Sequence, residues 1–422
     1  MKFTTRYAGA VAVGLVAAAA LSACSGGSGS DSESKSLTIA GNSSERTGIE
    51  AVVADFKTAN PGVTVDVTYA KDPATTLGTQ LSAGTAADVL WVNGGSGGAA
   101  SILDMAANGY VKDLSNEPYA AKQPKKSGNL YNDKVYSVAL TTGGIGAVWN
   151  EDTLAAIGAK SPTTLPELLS VCDAAKAKGK VALAMGMQDS WVGQMVPYTL
   201  ASTLVYSADP DFDKQQADKK VTFQDSNWTK VIDTSKELLD HGCYSKSPLG
   251  TSYDGAVQQV AKGTAAGMVM PVSVVPAILT SVPDAKLSYS AVPATDNAKD
   301  TWVPYSYGAN FAINAKAKNA TLAEKFIEFI VQPNETKLYA GKVGATPVLL
   351  DGSEPPVNPQ VDDSSMFQYP KEDRISGIPN LAWPNAKVQG LFLSGLQNVF
   401  AGKLSTKDFL TQLQGAYDEG KS

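Results

Sequence analysis

The stretch Ser36-Leu37-Thr38-Ile39-Ala40-Gly41 reads as a β-strand that runs into a polar loop, Asn42 to Arg46. The residues after it decide the fold. Ile49, Val52, Val53 and Phe56 recur at helical spacing, which predicts a helix over about 47–58. Asn60-Pro61-Gly62 stops that helix, and Val63, Val65 and Val67 alternate as a second strand. A helix carrying Leu77 and Leu81 follows, then a third strand from Asp88 to Val92. A βαβαβ opening specifies a mostly parallel sheet with right-handed crossovers. A second series occupies the middle of the chain. Val181 to Met187 reads as a strand, Trp228 to Asp240 as a helix, Ala266 to Met270 as a strand and Val274 to Leu279 as a helix. Two α/β units without a repeat or a linker indicate two lobes, with the chain passing between them more than once.

The beginning of the chain carries a different message. Lys2 and Arg6 precede an apolar run from Ala8 to Ala20, too short to span a bilayer comfortably, so residues 1–23 read as a signal peptide. The run ends in Leu21-Ser22-Ala23-Cys24, which resembles the lipobox of bacterial lipoproteins. That resemblance implies cleavage before Cys24 and acylation of its thiol with a palmitate-type diacylglycerol; an ordinary secretory signal is the alternative. Residues 24–36 are rich in Gly and Ser and read as a flexible tether. The expected location is the outer face of the cytoplasmic membrane, held there by lipid.

Composition narrows the classes further. The 422 residues are 43% hydrophobic and 18% charged, as in a globular chain, and carry a net charge of −6. Nucleic acid as a partner calls for a basic face, so none is expected. No second apolar stretch after the leader is long enough to cross a bilayer.

With Cys24 assigned to lipid, Cys172 and Cys243 remain, in a compartment where disulfides persist. A bond between them is the favoured reading, with two buried free thiols as the alternative. His241 is the single histidine, so nucleophilic systems built on Cys/His or Ser/His/Asp have little to draw on; at a helix end it reads as a C-cap contact. Three other motifs fail. Gly95-Ser96-Gly97-Gly98-Ala99-Ala100 mimics a dinucleotide fingerprint but follows a third strand in an exported chain. Asp209, Asp211 and Asp213 mimic a calcium loop, yet Lys214 stands where its glycine belongs and Lys220 where its bidentate glutamate belongs. No pair of acids is placed by motif for glycoside hydrolysis. No metal, cofactor or catalytic residue is expected.

Short motifs in a fixed order then carry a family resemblance. Phe56-Lys57-Thr58-Ala59-Asn60-Pro61-Gly62-Val63-Thr64-Val65 is similar to a helix-to-strand junction of the sugar-type extracellular solute-binding proteins of ABC importers, the group that includes maltose-binding protein. Ala83-Gly84-Thr85-Ala86-Ala87-Asp88-Val89 resembles the next junction, with Ala87 where proline is usual. Gly109 to Leu114, Lys134 to Asp152, Ser161 to Leu168 and Phe311 to Ile330 resemble later segments, with Ala139 for a proline, Trp149 for a tyrosine and Leu165 for a tryptophan. The resemblance implies a two-lobed periplasmic-binding (Venus-flytrap) fold with a ligand cleft between lobes. Its N-terminal lobe would comprise 37–143 and 302–348, and its C-terminal lobe 144–301 and 349–422. It further implies a monomer that captures a carbohydrate and docks on the permease subunits. A lipid-anchored glycosidase is the rival from another class, and a non-sugar polar solute the narrower one.

Sugars stack their C–H faces on aromatic rings and offer hydroxyl edges to planar polar groups. In open α/β sheets the ligand sits beyond the carboxyl ends of the strands. Those ends carry Asn42 and Arg46 after the first strand, and Trp91 and Asn93 at the third, Trp91 serving equally well as lobe core. Gln188, Asp189 and Trp191 share a Gly- and polar-flanked loop, where Trp191 is expected to face the cleft. Tyr305 and Tyr307 enter Gly308-Ala309-Asn310, which resembles a hinge crossing. Thr142 and Ser273 stand where the maltose branch has an acidic contact and a stacking tryptophan. Trp383 ends a segment resembling one that closes on a sugar-stacking aromatic, so it too is expected at the cleft, while Trp149 and Trp228 are assigned to packing.

Overall fold

The computed structural model describes residues 35–70, 73–96, 100–124, 128–353 and 360–420. The leader, Cys24 and most of the tether therefore lie outside the described residues, as do Gly97 to Ala99 of the glycine-rich stretch. Among the described residues no helix is long and apolar enough to cross a membrane.

The opening elements form where the apolar spacing places them. Strand β1 (Ser36–Asn42) leads through a short turn into the helix Arg46–Ala59, which buries Ile49, Val52, Val53 and Phe56. Strands β2 (Thr64–Ala70) and β3 (Val89–Val92) follow, with the helix Pro73–Ala83 between them. A small hairpin of β4 (Leu130–Tyr131) and β5 (Lys134–Val135) precedes β6 (Val138–Asn150). Further on come β7 (Val181–Leu183), β8 (Ala265–Pro271), β9 (Leu287–Ser290), β10 (Val303–Ile313), β11 (Thr346–Pro347) and β12 (Ile375–Ser376).

All of these except the hairpin join one sheet, ordered β2-β1-β3-β10-β6-β8-β7 with β9, β11 and β12 off that path. The sheet is mixed rather than mostly parallel. β1 is parallel to β2 and to β3, and β7 to β8. However, β10 runs antiparallel to β3, with Phe311 opposite Trp91, and antiparallel to β6, with Tyr307 opposite Thr142. The cause is insertion: a strand from the last third of the sequence enters beside β3, which local periodicity near β3 cannot reveal.

The strands β6 and β10 are long because each serves two cores. Val138 and Leu140 belong to one cluster with Leu37, Phe56 and Phe326, whereas Val148 and Trp149 belong to another with Leu183, Trp228 and Phe392. β10 divides likewise, with Val303 and Tyr305 in the second cluster and Phe311 and Ile313 in the first. A third, smaller cluster of Leu77, Leu90, Val92 and Ile102 lies under the first unit's other helices. Between the halves of β6 the sequence is Thr141-Thr142-Gly143-Gly144. In β10 the matching point holds Ala309, buried and at φ 49°, a left-handed backbone that costs an L-residue about 1–2 kcal/mol.

Packing assignments made for the tryptophans divide here. Trp149 and Trp228 are buried, the former donating Nε1–H to Ser290 Oγ at 3.0 Å. Trp383 is a correction. It is 1% exposed and sits in an aromatic cluster, with its ring centroid 5.3 Å from Phe392, 6.1 Å from Phe223 and 6.2 Å from Tyr198. The segment does pass the loop after β3, since Ser96 N–H donates to the Leu381 carbonyl at 2.8 Å. The ring itself turns away from that contact, drawn into the core by the apolar face of the helix Ala386–Phe400.

The helix Leu165–Ala177 starts with a capping box, in which Thr164 accepts from the Glu167 N–H and the Glu167 carboxylate returns to Thr164. Its Cys172 is bonded to Cys243, just past the helix Trp228–His241, with Cα atoms 4.7 Å apart. His241 is not a cap: its Nε2 lies 3.0 Å from Asp173 Oδ1, and Gly242 in the left-handed conformation ends the helix.

Candidate functional site

At the midpoint of β6 and β10 lies a cavity of about 340 Å³. Its walls come from the turn after β1 (Ser44, Glu45), from β6 (Thr141 to Ile145), from β10 (Ser306, Gly308) and from the turn after β8 (Pro271 to Ser273). Segments that are distant in sequence and belong to both core clusters therefore meet at one place. The lining combines hydroxyls, backbone groups and one carboxylate with the apolar side chains of Ile145, Val272 and Val343.

That carboxylate, Glu45, was not among the sequence candidates although its neighbours Asn42 and Arg46 were. Its Oε2 accepts from Trp91 Nε1–H at 2.8 Å and from the Tyr339 hydroxyl at 2.5 Å. Burial raises its pKa, and those two hydrogen bonds oppose the rise. Tyr339 reaches it because the helix Pro333–Val343 lies against the helix Arg46–Ala59 at Gly48, where a Cβ would fall 2.8 Å from Val343 Cγ1. A polar loop signals exposure on average, so sequence offered no sign that Glu45 would turn inward.

The candidates from the same loop are used differently. Asn42 caps the short turn, its Oδ1 accepting from the Ser44 N–H at 3.0 Å and the Ser44 hydroxyl at 2.8 Å. Arg46 turns outward: its guanidinium lies 3.9 Å over the Tyr69 ring and 3.3 Å from Glu50. It lines no part of the cavity. Trp91 lies in the core, 9% exposed, and donates its Nε1–H to the cavity's carboxylate. Its other neighbour is a smaller hollow of about 130 Å³ shared with Gly41, Tyr69 and Gln80. Asn93 is exposed and bridges to Ser101.

Thr142 and Ser273 both reach the cavity wall, Thr142 donating to the Ser306 carbonyl at 3.1 Å. Tyr305 and Tyr307 flank that wall on β10 but face the larger core, their rings 5.8 Å apart. Burial pushes the Tyr307 phenol up to about 12, so it stays a hydrogen-bond donor at neutral pH.

The loop Gln188–Trp191 forms a separate feature. Trp191 is 38% exposed, the large hydrophobic side chain that stands out at the surface among the described residues. It lies against Tyr253 with ring centroids 5.2 Å apart. Asp189 sets this pair, its Oδ2 accepting the Tyr253 N–H at 2.7 Å, while the Gln188 side chain remains exposed. The structure thus gives Asp189 a positioning part and supplies Tyr253 as a second ring that sequence did not single out. Asp209 and Asp213 of the aspartate run are held within the fold, by Gln215 Nε2 and the Tyr206 hydroxyl.

Sequence comparison decides the family, because residues 51–368 match the model for bacterial extracellular solute-binding proteins. The chain belongs to that family. It is therefore a binding protein, not an enzyme. Among curated relatives, a multiple sugar-binding protein of Streptococcus mutans is 25% identical over 348 residues, 79% of this chain and 80% of that protein. Among solved structures, RafE in complex with raffinose superposes with a TM-score of 0.73 at 18% identity, covering 92% of this chain and 100% of that one. A sugar transporter protein of Bacillus licheniformis in complex with stachyose gives a TM-score of 0.71 at 19% identity, over 91% and 100%. At such identities the superpositions establish the two-lobed solute-binding fold.

Proposed function

We propose that this solute-binding protein captures a carbohydrate, a di- or oligosaccharide, outside the cytoplasmic membrane and delivers it to the permease of an ABC importer. Lipid at Cys24 would hold it at the membrane, as a monomer without cofactor or metal. The lobes would be 37–143 with 302–348 and 144–301 with 349–422, hinged at β6 and β10. The observation that carries the reading is the set of hydroxyl and backbone groups that the cavity wall presents beside its apolar side chains, with the exposed Trp191 ring paired to a half-buried Tyr253 elsewhere on the surface. The wall's hydroxyls suit a polyol's edge, and its apolar side chains and the exposed Trp191 ring suit C–H faces. The multiple sugar-binding relative supports the same solute class.

A glycosidase would need two carboxyl groups about 5–9.5 Å apart around the scissile bond. The described cavity lining holds Glu45 alone. Calorimetric titration with an oligosaccharide panel tests the proposal, with chromatography of the same mixtures. One-to-one binding with no cleavage is expected. Progressive product release would return the glycosidase, and binding confined to peptides or other polar solutes would overturn the carbohydrate assignment.

A further inference from the structure

We infer that Glu45 makes the cavity selective for uncharged ligands: its free oxygen accepts a ligand hydroxyl and repels anionic sugars such as uronic acids and sugar phosphates. The inference rests on the cavity being the ligand site. Both protein donors to this carboxylate, Trp91 Nε1–H and the Tyr339 hydroxyl, go to Oε2. Oε1 has no hydrogen-bond partner among the described residues, and Glu45 lines the cavity. A carboxylate so fixed is preorganised: two donors lock its plane, and one oxygen is left to accept.

The charge balance gives this consequence. Among the described residues no Lys, Arg or His lines the cavity. The nearest candidate cation in sequence, Arg46, is held outward by Glu50 and Tyr69. An anionic ligand would find no partner for its charge and a like charge facing it, in a space where water screens poorly. A hydroxyl donor meets an acceptor already oriented. The rest of the wall, the hydroxyls of Thr142, Ser273 and Ser306 with the apolar side chains of Ile145, Val272 and Val343, is neutral and does not discriminate by the sign of charge.

The test compares wild type and Glu45→Gln by calorimetric titration with raffinose, stachyose and maltotriose as neutral probes and trigalacturonate as the anionic one. In Glu45→Gln the amide oxygen is expected to stay on Trp91 and Tyr339, turning an N–H₂ donor into the cavity in place of the acceptor. Wild type should bind at least one neutral probe and bind trigalacturonate at least 100-fold more weakly. The variant should lose tenfold or more for the neutral probe and narrow the gap to trigalacturonate. Equal or tighter binding of trigalacturonate by wild type would overturn the inference while leaving the carbohydrate reading intact. Binding of none of the probes would overturn both. A folded variant with wild-type affinity for the neutral probe would remove Glu45 from recognition, and the wild-type comparison decides the charge selectivity even if the variant fails to fold.

Discussion

Truncating Trp191 and Trp383 separately should give opposite phenotypes. Trp383 is 1% exposed and touches Phe392, Phe223 and Tyr198 edge-on or tilted, so Trp383→Ala removes a full aromatic payload from a packed core. Such truncations cost about 3–5 kcal/mol. Its Nε1–H is buried without a hydrogen-bond partner among the described residues, and losing that group returns part of the cost, which favours the lower end. At about 2–4 °C per kcal/mol for a body of this size, the melting temperature should fall by roughly 6–12 °C. Trp191 is already 38% exposed, and its ring contact within the fold is Tyr253. Trp191→Ala should cost about 0.5–1.5 kcal/mol of stability, the usual worth of one aromatic pair. If the exposed pair stacks on sugar, the same change should weaken binding by about 1–3 kcal/mol, or roughly 5- to 150-fold. Thermal melts without ligand and calorimetric titration with the best-binding oligosaccharide separate the two effects. Wild-type affinity in Trp191→Ala would remove it from the ligand site, and a wild-type melt in Trp383→Ala would contradict its place in the core.

Three further outcomes are expected. Reducing the Cys172–Cys243 bond, which spans 71 residues, should destabilise the protein by about 4.4 kcal/mol at most on the chain-entropy model, read from guanidinium melts with and without dithiothreitol. Burial raises Asp213 to about 6 from 3.8, so its contribution to stability is complete below about pH 3.8 and lost as pH rises through 6. Asp213→Asn, which keeps an oxygen for the Tyr206 hydroxyl, should accordingly stabilise by up to about 3 kcal/mol at pH 7.5 and by little at pH 4; equal melting shifts at both would refute it. Cys24→Ala should abolish incorporation of labelled palmitate, and label persisting on the variant would dispose of the lipid anchor.

What the sequence made legible was what local periodicity controls. The helix Arg46–Ala59 was anticipated to within a residue because its four apolar positions fall on one face and Pro61 follows. The disulfide was anticipated because an exported chain left only two cysteines to pair. Strand order was not legible. β6 reads Val-Ala-Leu-Thr-Thr-Gly-Gly-Ile-Gly-Ala-Val-Trp-Asn, with glycines where a strand signal should be strongest, and at two of them a Cβ would collide with distant segments, at Gly144 with Val303 Cγ1 at 2.5 Å. At Gly146 a Cβ would lie 2.5 Å from the Ser290 carbonyl oxygen. That constraint comes from β9, about 140 residues away in sequence, and nothing near Gly146 announces it.

The same distinction explains the site. Glu45 and Arg46 are adjacent polar residues in one turn, and composition treats them alike. What separates them is which distant partners arrive. Trp91 and Tyr339 bring two donors to the inner side, where only an acceptor is satisfied; Tyr69 brings a ring face and Glu50 a carboxylate to the outer side, where only a cation is. Exchanging the two residues would bury an arginine against two N–H and O–H donors and leave a carboxylate over a ring face, unfavourable at both positions. Charge at the cavity is therefore set by tertiary partners 46 and 294 residues from Glu45, not by the loop that carries it. The Trp383 misplacement has the same origin. Its turn resembles a ligand-facing segment, but Phe223 and Phe392 close over the ring from other helices and loops and give it more contact than a cleft wall offers.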